Sequence, residues 1–375
     1  MVEYVLLIIL VISQIFISDL LKKNNRLIDR LIYSFIYLYI VLLVGLRYKV
    51  GIDTYNYMNS YKLIPNFRNL NLRIILEHEY QPLFLIILSF IKTFVSNNFY
   101  FVQIIHALFI NYAIFYFVDK HVNFKYVYLL IYLLTFFMYF NFEILKESTA
   151  VAIFLFAYNF YIKRKYFIYF LLIIIAILIH QSAVILLLFP IINKLKFNYK
   201  YVIFLIIFIV FLKSSENYIG LFQLKESMVE KINFYYESRD VLNLNWVVLQ
   251  LLQMVIIPYV LFISFRKKLH TSHDSIVMFY ITLGIGVLFY QIVFFRFSNY
   301  VIPFFVLYLV NIIDYISYNK NCKKYIFLII FYCCLYNYNF LRGGEYVRWF
   351  PYESIINEDK NIERENLYNK INRSW

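Results

Sequence analysis

Apolar runs of membrane-spanning length follow one another along this 375-residue chain, separated by short clusters of Lys and Arg, and they leave it few folds to adopt. Inside hydrocarbon every backbone N–H and C=O must find a partner within the protein, so only helices and closed β-barrels can span. The runs are continuous rather than alternating, and seven Gly and six Pro are too few for the turns of a barrel. A composition of 63% hydrophobic and 15% charged residues excludes an ordinary soluble domain. The expectation is an all-α, polytopic integral membrane protein. A net charge of +14 invites a nucleic-acid reading, but the basic residues fall between apolar runs, as the positive-inside rule requires, so no nucleic-acid partner is expected. Cys322, Cys333 and Cys334 have no metal-ligand spacing and form no disulfide framework.

The basic clusters set an orientation. Residues 4–21 have no basic residue before them and no Ala-x-Ala-like site after them, so they read as an uncleaved first span. Lys22, Lys23, Arg26 and Arg30 then belong in the cytoplasm, with the N-terminus outside, and 30–46 returns outward. Residues 82–95 hold about 14 apolar residues where about 20 are needed to span, which predicts a re-entrant segment dipping in from the outer face. Segments 99–118, 126–142 and 149–162 then alternate and bring Lys163-Arg164-Lys165 inside. Because Lys194, Lys196 and Lys200 also belong inside, the run 166–189 must be two short helices broken near His180, with His180 at an outer tip. Segments 201–212, 246–264, 276–295, 300–317 and 325–340 complete about twelve crossings. A rival arrangement makes 82–95 and 166–189 single crossings but strands Lys163-Arg164-Lys165 outside. The preferred reading gives a transmembrane domain over 1–340 with outer loops at 47–81 and 213–245, and a polar C-terminal tail, 341–375, on the outer face.

This arrangement gathers Arg47, Asp53, Glu79, Glu143, Lys146, His180, Arg239 and Arg296 on one face. Ionisable groups in membrane-length apolar sequence are expensive, on the order of 2.5–3.5 kcal/mol each at a helix centre, so they are candidates for function. The sequence has no Gly-rich phosphate loop, no Asp-x-Asp pair, no Cys/His cluster and no Ser nucleophile elbow, which argues against nucleotide-driven chemistry. Several cations suit a diphosphate, and carboxylates with a His suit proton removal. A substrate linked to a lipid diphosphate at the outer leaflet satisfies both, with cationic neutralisation of the leaving group in place of a metal or other cofactor. Arg47, Glu79, Arg239 and Arg296, assisted by Lys146, are the expected substrate-binding residues. Asp53, then Glu143 and His180, are the expected bases. Each has a plainer competitor: a loop-ordering turn for Asp53, a packed core histidine for His180, an intramembrane ion pair of Lys146 with Glu143 or Glu147, an interfacial anchor for Arg296, and loop charge for Arg239.

Several short patterns also carry a resemblance. Gly51-x-Asp53-Thr54-x-x-Tyr57, Glu79-Tyr80-x-Pro82, Lys146 before an Ala-rich helix at Ala150, Ala176-x-x-x-His180-x-Ser182-Ala183, Arg296-x-x-x-Tyr300 and Pro351-Tyr352 occur in that order. Together they resemble the EpsG/Wzy group of bacterial polysaccharide polymerases. One departure is that the group usually has Arg-Gln where this chain has Lys146-Glu147, and Lys lacks the bidentate fork of Arg. The resemblance implies polymerisation of undecaprenyl-diphosphate-linked oligosaccharide repeat units into capsule or O-antigen, in the bacterial inner membrane, on a fold related to the GT-C glycosyltransferases. It also implies membrane lipid, a flippase and a chain-length regulator as partners. A membrane O-acyltransferase using His180 and a secondary transporter are the competing functions. The transporter is weakened because no internal repeat with paired Gly/Pro-interrupted helices is visible.

The charge map makes a direct prediction. A cysteine placed in 213–245 reacts with a membrane-impermeant thiol reagent in intact cells, and one placed at 163–165 does not; labelling at 163–165 would sink the preferred orientation.

Overall fold

The computed structural model describes residues 2–20, 25–194, 244–269, 274–288, 291–341, 348–360, 362 and 364–366. Among these, the regular elements are helices, and five are long and apolar enough to cross a bilayer: Val2–Leu20, Arg26–Gly45, Phe99–His121, Asn245–Leu269 and Val293–Tyr318. The protein is an all-α membrane protein. Helices α1 (Val2–Gln14) and α2 (Arg26–Gly45) present Val5, Leu6, Ile9, Leu31, Phe35 and Leu38 outward, an apolar coat suited to lipid. The helix Gln291–Tyr318 lies at the centre, with Tyr300 to Val310 buried without interruption.

Between α2 and the next long helix lie three short ones, α3 (Ile52–Leu63), α4 (Leu72–Glu77) and α5 (Pro82–Phe94). At 13 residues, α5 spans about 20 Å, against about 30 Å for a hydrocarbon core. It lies along the polar helix α3. Near its start Phe84 meets Tyr57, and near its end Lys92 donates to the carbonyls of Tyr61, Lys62 and Ile64 at 3.1, 2.9 and 2.6 Å. Those carbonyls lie at the end of α3, where the helix runs out of its own N–H donors, so one lysine caps it.

Helix α6 (Phe99–His121) is followed by α7 (Lys125–Leu134), which is much shorter than the single span expected over 126–142. Thr135 ends it, turning its hydroxyl back onto the Ile131 carbonyl at 2.6 Å. Beyond it, Asn141 donates to the Tyr132 hydroxyl (2.7 Å), Tyr132 donates to Asn111 Oδ1 (3.0 Å), and Asn111 donates to Asn141 Oδ1 (2.8 Å). This closed ring of buried amides and a phenol ties the irregular segment to α6. The next helix, α8 (Leu145–Ile162), begins four residues earlier than the 149–162 span predicts, so Lys146 and Glu147 stand in its first turn.

The expected break at His180 is present. Helix α9 (Tyr166–Ile179) stops, His180 is extended, and a 3₁₀ segment, Gln181–Leu188, follows. The Tyr169 hydroxyl donates to the Leu186 carbonyl at 2.7 Å. A straight helix would hold these residues about 25 Å apart, so the chain folds back and His180 sits at the tip of a helical hairpin.

The C-terminal segment is no free tail. Residues 348–355 run alongside 46–51: Ile355 N–H donates to Leu46 O, Tyr48 N–H to Glu353 O and Gly51 N–H to Arg348 O, each at 2.8 Å. Buried Arg364 fastens both sides, reaching the carbonyls of Lys49, Phe350 and Arg348. Glu365 pairs with Lys49 and accepts from the Tyr48 hydroxyl. The loop after α2 and this strap therefore occupy the same face of the membrane.

Gly51 is the tightest point of the contact. Its φ of +98° favours glycine, and a Cβ there would lie 2.2 Å from the Phe142 carbonyl oxygen. Gly51→Ala is expected to destabilise the protein by about 2 kcal/mol or more through backbone strain and this clash. A thermal unfolding midpoint in detergent equal to wild type would contradict it.

Candidate functional site

The site is built where the first turns of α3 and α8, the tip of the His180 hairpin, the strap, and one face of the helix Gln291–Tyr318 meet. Helix α3 starts at Gly51, which offers no side-chain cap. The missing acceptor comes from Glu143: its Oε2 accepts the Asp53 backbone N–H at 3.1 Å, and its Oε1 accepts the Trp349 indole N–H at 2.9 Å. The carboxylate is 4% exposed, so it acts as a buried capping group between α3 and the strap. Arg47 is sealed in the same way. It is 0% exposed, donating to the carbonyls of Val50 (3.2 Å) and Val44 (2.6 Å) and to Thr54 Oγ1 (3.2 Å), with Phe142 under its guanidinium. Thr54 in turn donates to the Phe142 carbonyl at 2.9 Å. Arg47, expected to grip diphosphate, is here enclosed by the loop's own carbonyls and Thr54, which it holds from inside.

Asp53 projects from the first turn thus held. Burial raises its carboxyl above the ordinary value of 3.8, while the nearby cations of Arg348, Lys146 and Arg296 pull it back down. Positive side chains from three distant parts of the chain thus come near enough to act on one carboxylate.

Lys146 and Glu147 are neighbours on α8, about 100° apart around its axis, and so they serve different partners. Lys146 Nζ lies over the Tyr80 ring at 4.5 Å and nearer the edge of reach of Tyr57 at 5.9 Å, a cationic head held by aromatic faces. Glu147, 3% exposed, accepts from Asn299 Nδ2 at 2.9 Å and stands 4.0 Å from Arg296 Nε. Arg296 itself is 38% exposed, so the pair anchors one side of a guanidinium that still meets solvent.

On the same helix, Asn299 and Tyr300 follow Arg296 by three and four residues, which puts all three on one face. Asn299 takes Glu147, and Tyr300 takes the hairpin tip: its hydroxyl is 2.9 Å from Ser182 Oγ, which is 2.6 Å from His180 Nδ1. The charges of Arg296 and Lys146 both act on His180. The spacing Arg-x-x-Asn-Tyr thus couples a cation, a carboxylate and an imidazole through one helix turn.

Asp53, Lys146, His180 and Arg296 are brought together as expected. Glu143 lies directly beneath Asp53. Glu79 is exposed on the loop that carries Tyr80. Arg239, with nearly all of 213–245, lies outside the described residues. Sequence reasoning missed Arg348 and the role of Glu147; the signal for the first was an aromatic Arg348-Trp349-Phe350-Pro351-Tyr352 run in an otherwise polar tail. Among the described residues, no three His, Cys, Asp or Glu side chains are grouped so as to hold a metal ion.

Replacing Glu143 with Gln leaves one acceptor oxygen for two donors, one of which then stays buried and unpaired. The expected cost is about 1–3 kcal/mol, read as a lower unfolding midpoint together with faster proteolysis within 348–366. Unchanged midpoint and cleavage would show that the carboxylate does not hold the strap.

No curated protein and no solved structure matches the chain. The sequence model of the EpsG family matches residues 30–354, from within α2 to Ser354 in the strap, a range that includes Asp53, Glu143, Lys146, His180, Arg296 and Arg348. That match covers well over half of the chain, and the protein belongs to the EpsG family.

Proposed function

We propose that this protein is a membrane glycosyltransferase that polymerises undecaprenyl-diphosphate-linked oligosaccharide repeat units into capsule or O-antigen polysaccharide at the outer face of the bacterial inner membrane. The observation that carries the reading is the placement of Lys146, Arg296 and Arg348 around one partly buried carboxylate, Asp53. Membership of the EpsG family supports a polysaccharide polymerase. The twelve-crossing, GT-C-like architecture belongs to the same proposal, supported by the hairpin at His180 and the short helix α5.

In this reading Arg296 and Lys146, with Arg348, hold the donor diphosphate. The acceptor hydroxyl oxygen attacks the anomeric carbon of the donor sugar as its bond to the diphosphate oxygen breaks. The electron pair leaves with undecaprenyl diphosphate, whose growing charge the cations neutralise, and the hydroxyl proton passes to Asp53. Leaving-group charge is thus met by side chains of the protein rather than by a metal. Glu147 and Asn299 fix the helix face that carries Arg296, while Glu143 and Arg47 fix the loop that carries Asp53. His180 lies beside the cations and orders the hairpin tip through Ser182. Arg239 and Glu79 are assigned to the outer loops that receive the glycan. The flippase and chain-length regulator would act before and after this step.

Loss of the protein should leave single repeat units on the acceptor lipid while long polymer disappears. In a purified assay with lipid-linked repeat units, Asp53→Asn is expected to lower the rate by roughly 10²–10⁴-fold, and Arg296→Lys by less, since charge survives and the fork is lost. Asp53 works as the carboxylate, and burial sets its pKa above 3.8, so activity is kept at higher pH and lost as pH falls through that raised value. Wild-type chain lengths with Asp53→Asn would remove it as the base. Unchanged polymer with loss of O-acetyl groups would replace the reading by an acyltransferase.

A further inference from the structure

Beside the charged cluster, α5, α6, α8 and α9 enclose a cavity of about 310 Å³ whose wall is almost wholly aliphatic and aromatic, including Leu88, Ile105, Phe109, Ile153 and Ile175. Buried His106, on the same wall, is paired through Nε2 with Ser148 Oγ at 2.8 Å. Two features make the cavity more than a packing defect. Its upper end is shared with the site: Tyr57, which faces Lys146, lines it, as do Leu145 and Ile179, the residues immediately before Lys146 and His180. Its side is open: the lining residues Ile87 and Ile105 are 36% and 40% exposed on the outer surface of α5 and α6, which in a membrane faces lipid. From Leu145 to Ile153 the cavity follows α8 for about 12 Å, leading away from the cations into the apolar bundle.

A ligand matching this shape has a multiply charged anionic head and a continuous apolar tail leaving it in one direction. We propose that the cavity seats the diphosphate-proximal isoprene units of the donor's polyprenyl chain, with the rest of the chain passing between Ile87 and Ile105 into the bilayer. This inference rests on the diphosphate site proposed above. The occupant follows from continuity with that site: Tyr57 and Leu145 line the cavity where it adjoins Lys146, so a tail attached to the head held there enters the cavity directly. Because the tail arrives from lipid, what holds it is van der Waals packing against the wall rather than removal from water. The enclosed wall also explains how a long, flexible chain can be held still at the end where the bond is broken.

The test uses the full-length protein in phospholipid nanodiscs and a short prenyl diphosphate probe of about two isoprene units, carrying a photoreactive benzophenone at its chain end so that the label lies within the roughly 12 Å of the cavity. After irradiation, peptide mapping should place the label on α5 or α6, and undecaprenyl diphosphate should compete it away. Ile105→Trp, at a position 40% exposed at the mouth, should lower that labelling roughly tenfold by filling the mouth and removing packing contacts from the chain. Label placed on another helix surface, still competed by undecaprenyl diphosphate, would overturn the cavity assignment while leaving the diphosphate site standing. Label in the cavity competed equally by added phospholipid would overturn it in favour of an ordinary acyl chain. Absence of any specific labelling would overturn both the cavity and the diphosphate site beneath it.

Discussion

A carboxylate shut away from water must be met by donors, and Glu143 is met by two that come from opposite ends of the chain. The Asp53 N–H is 90 residues away in sequence and the Trp349 indole is 206 away. A buried charge that loses a partner is strongly destabilising, on the order of 3–5 kcal/mol for an ion pair, so these contacts are held together or not at all. The placement of the loop that carries Asp53 follows from this junction. Helix α3 can begin at an uncapped glycine because Glu143 caps it from across the fold, and the strap is drawn over the loop because Trp349 completes the carboxylate. Arg47 reinforces the same corner from inside, its guanidinium spread over backbone carbonyls and Thr54.

The class of fold was legible because burial in lipid imposes one strong rule, and the chain obeys it visibly in its long apolar runs. The break at His180 was legible for a second reason: basic clusters on both sides of 166–189 demand the same compartment, and no straight helix can satisfy that. Helix ends were less legible. The early start of α8 and early stop of α7 depend on the Asn111, Tyr132 and Asn141 ring, a tertiary contact that no local pattern announces. Individual roles were the least legible. Arg47 and Arg296 look alike in sequence, and only packing separates a sealed structural guanidinium from one that still meets solvent. Glu147 read as an ion-pair partner for Lys146; the helix geometry turned it instead towards Arg296 and Asn299.

Aromatic residues do more here than fill space. Tyr80 and Tyr57 turn their ring faces to Lys146, which helps to hold its cationic head in place beside the site. Tyr300 reaches the hairpin tip through Ser182, so the position of His180 depends on the helix that carries Arg296. Cation, imidazole and carboxylate therefore share supports, and a shift of the Gln291–Tyr318 helix would be felt by all of them together.

The strap has a consequence for how the protein is made. Asp53 and its loop leave the ribosome early, while Arg348 and Trp349 follow only after the helices between them have been synthesised. Until then the carboxylate of Glu143 lacks the Trp349 indole donor, and 46–51 lacks the backbone contacts of 348–355. Assembly of the charged cluster is thereby tied to completion of membrane insertion, and a chain stalled or cut before the strap would carry Asp53 without the Arg348 cation beside it.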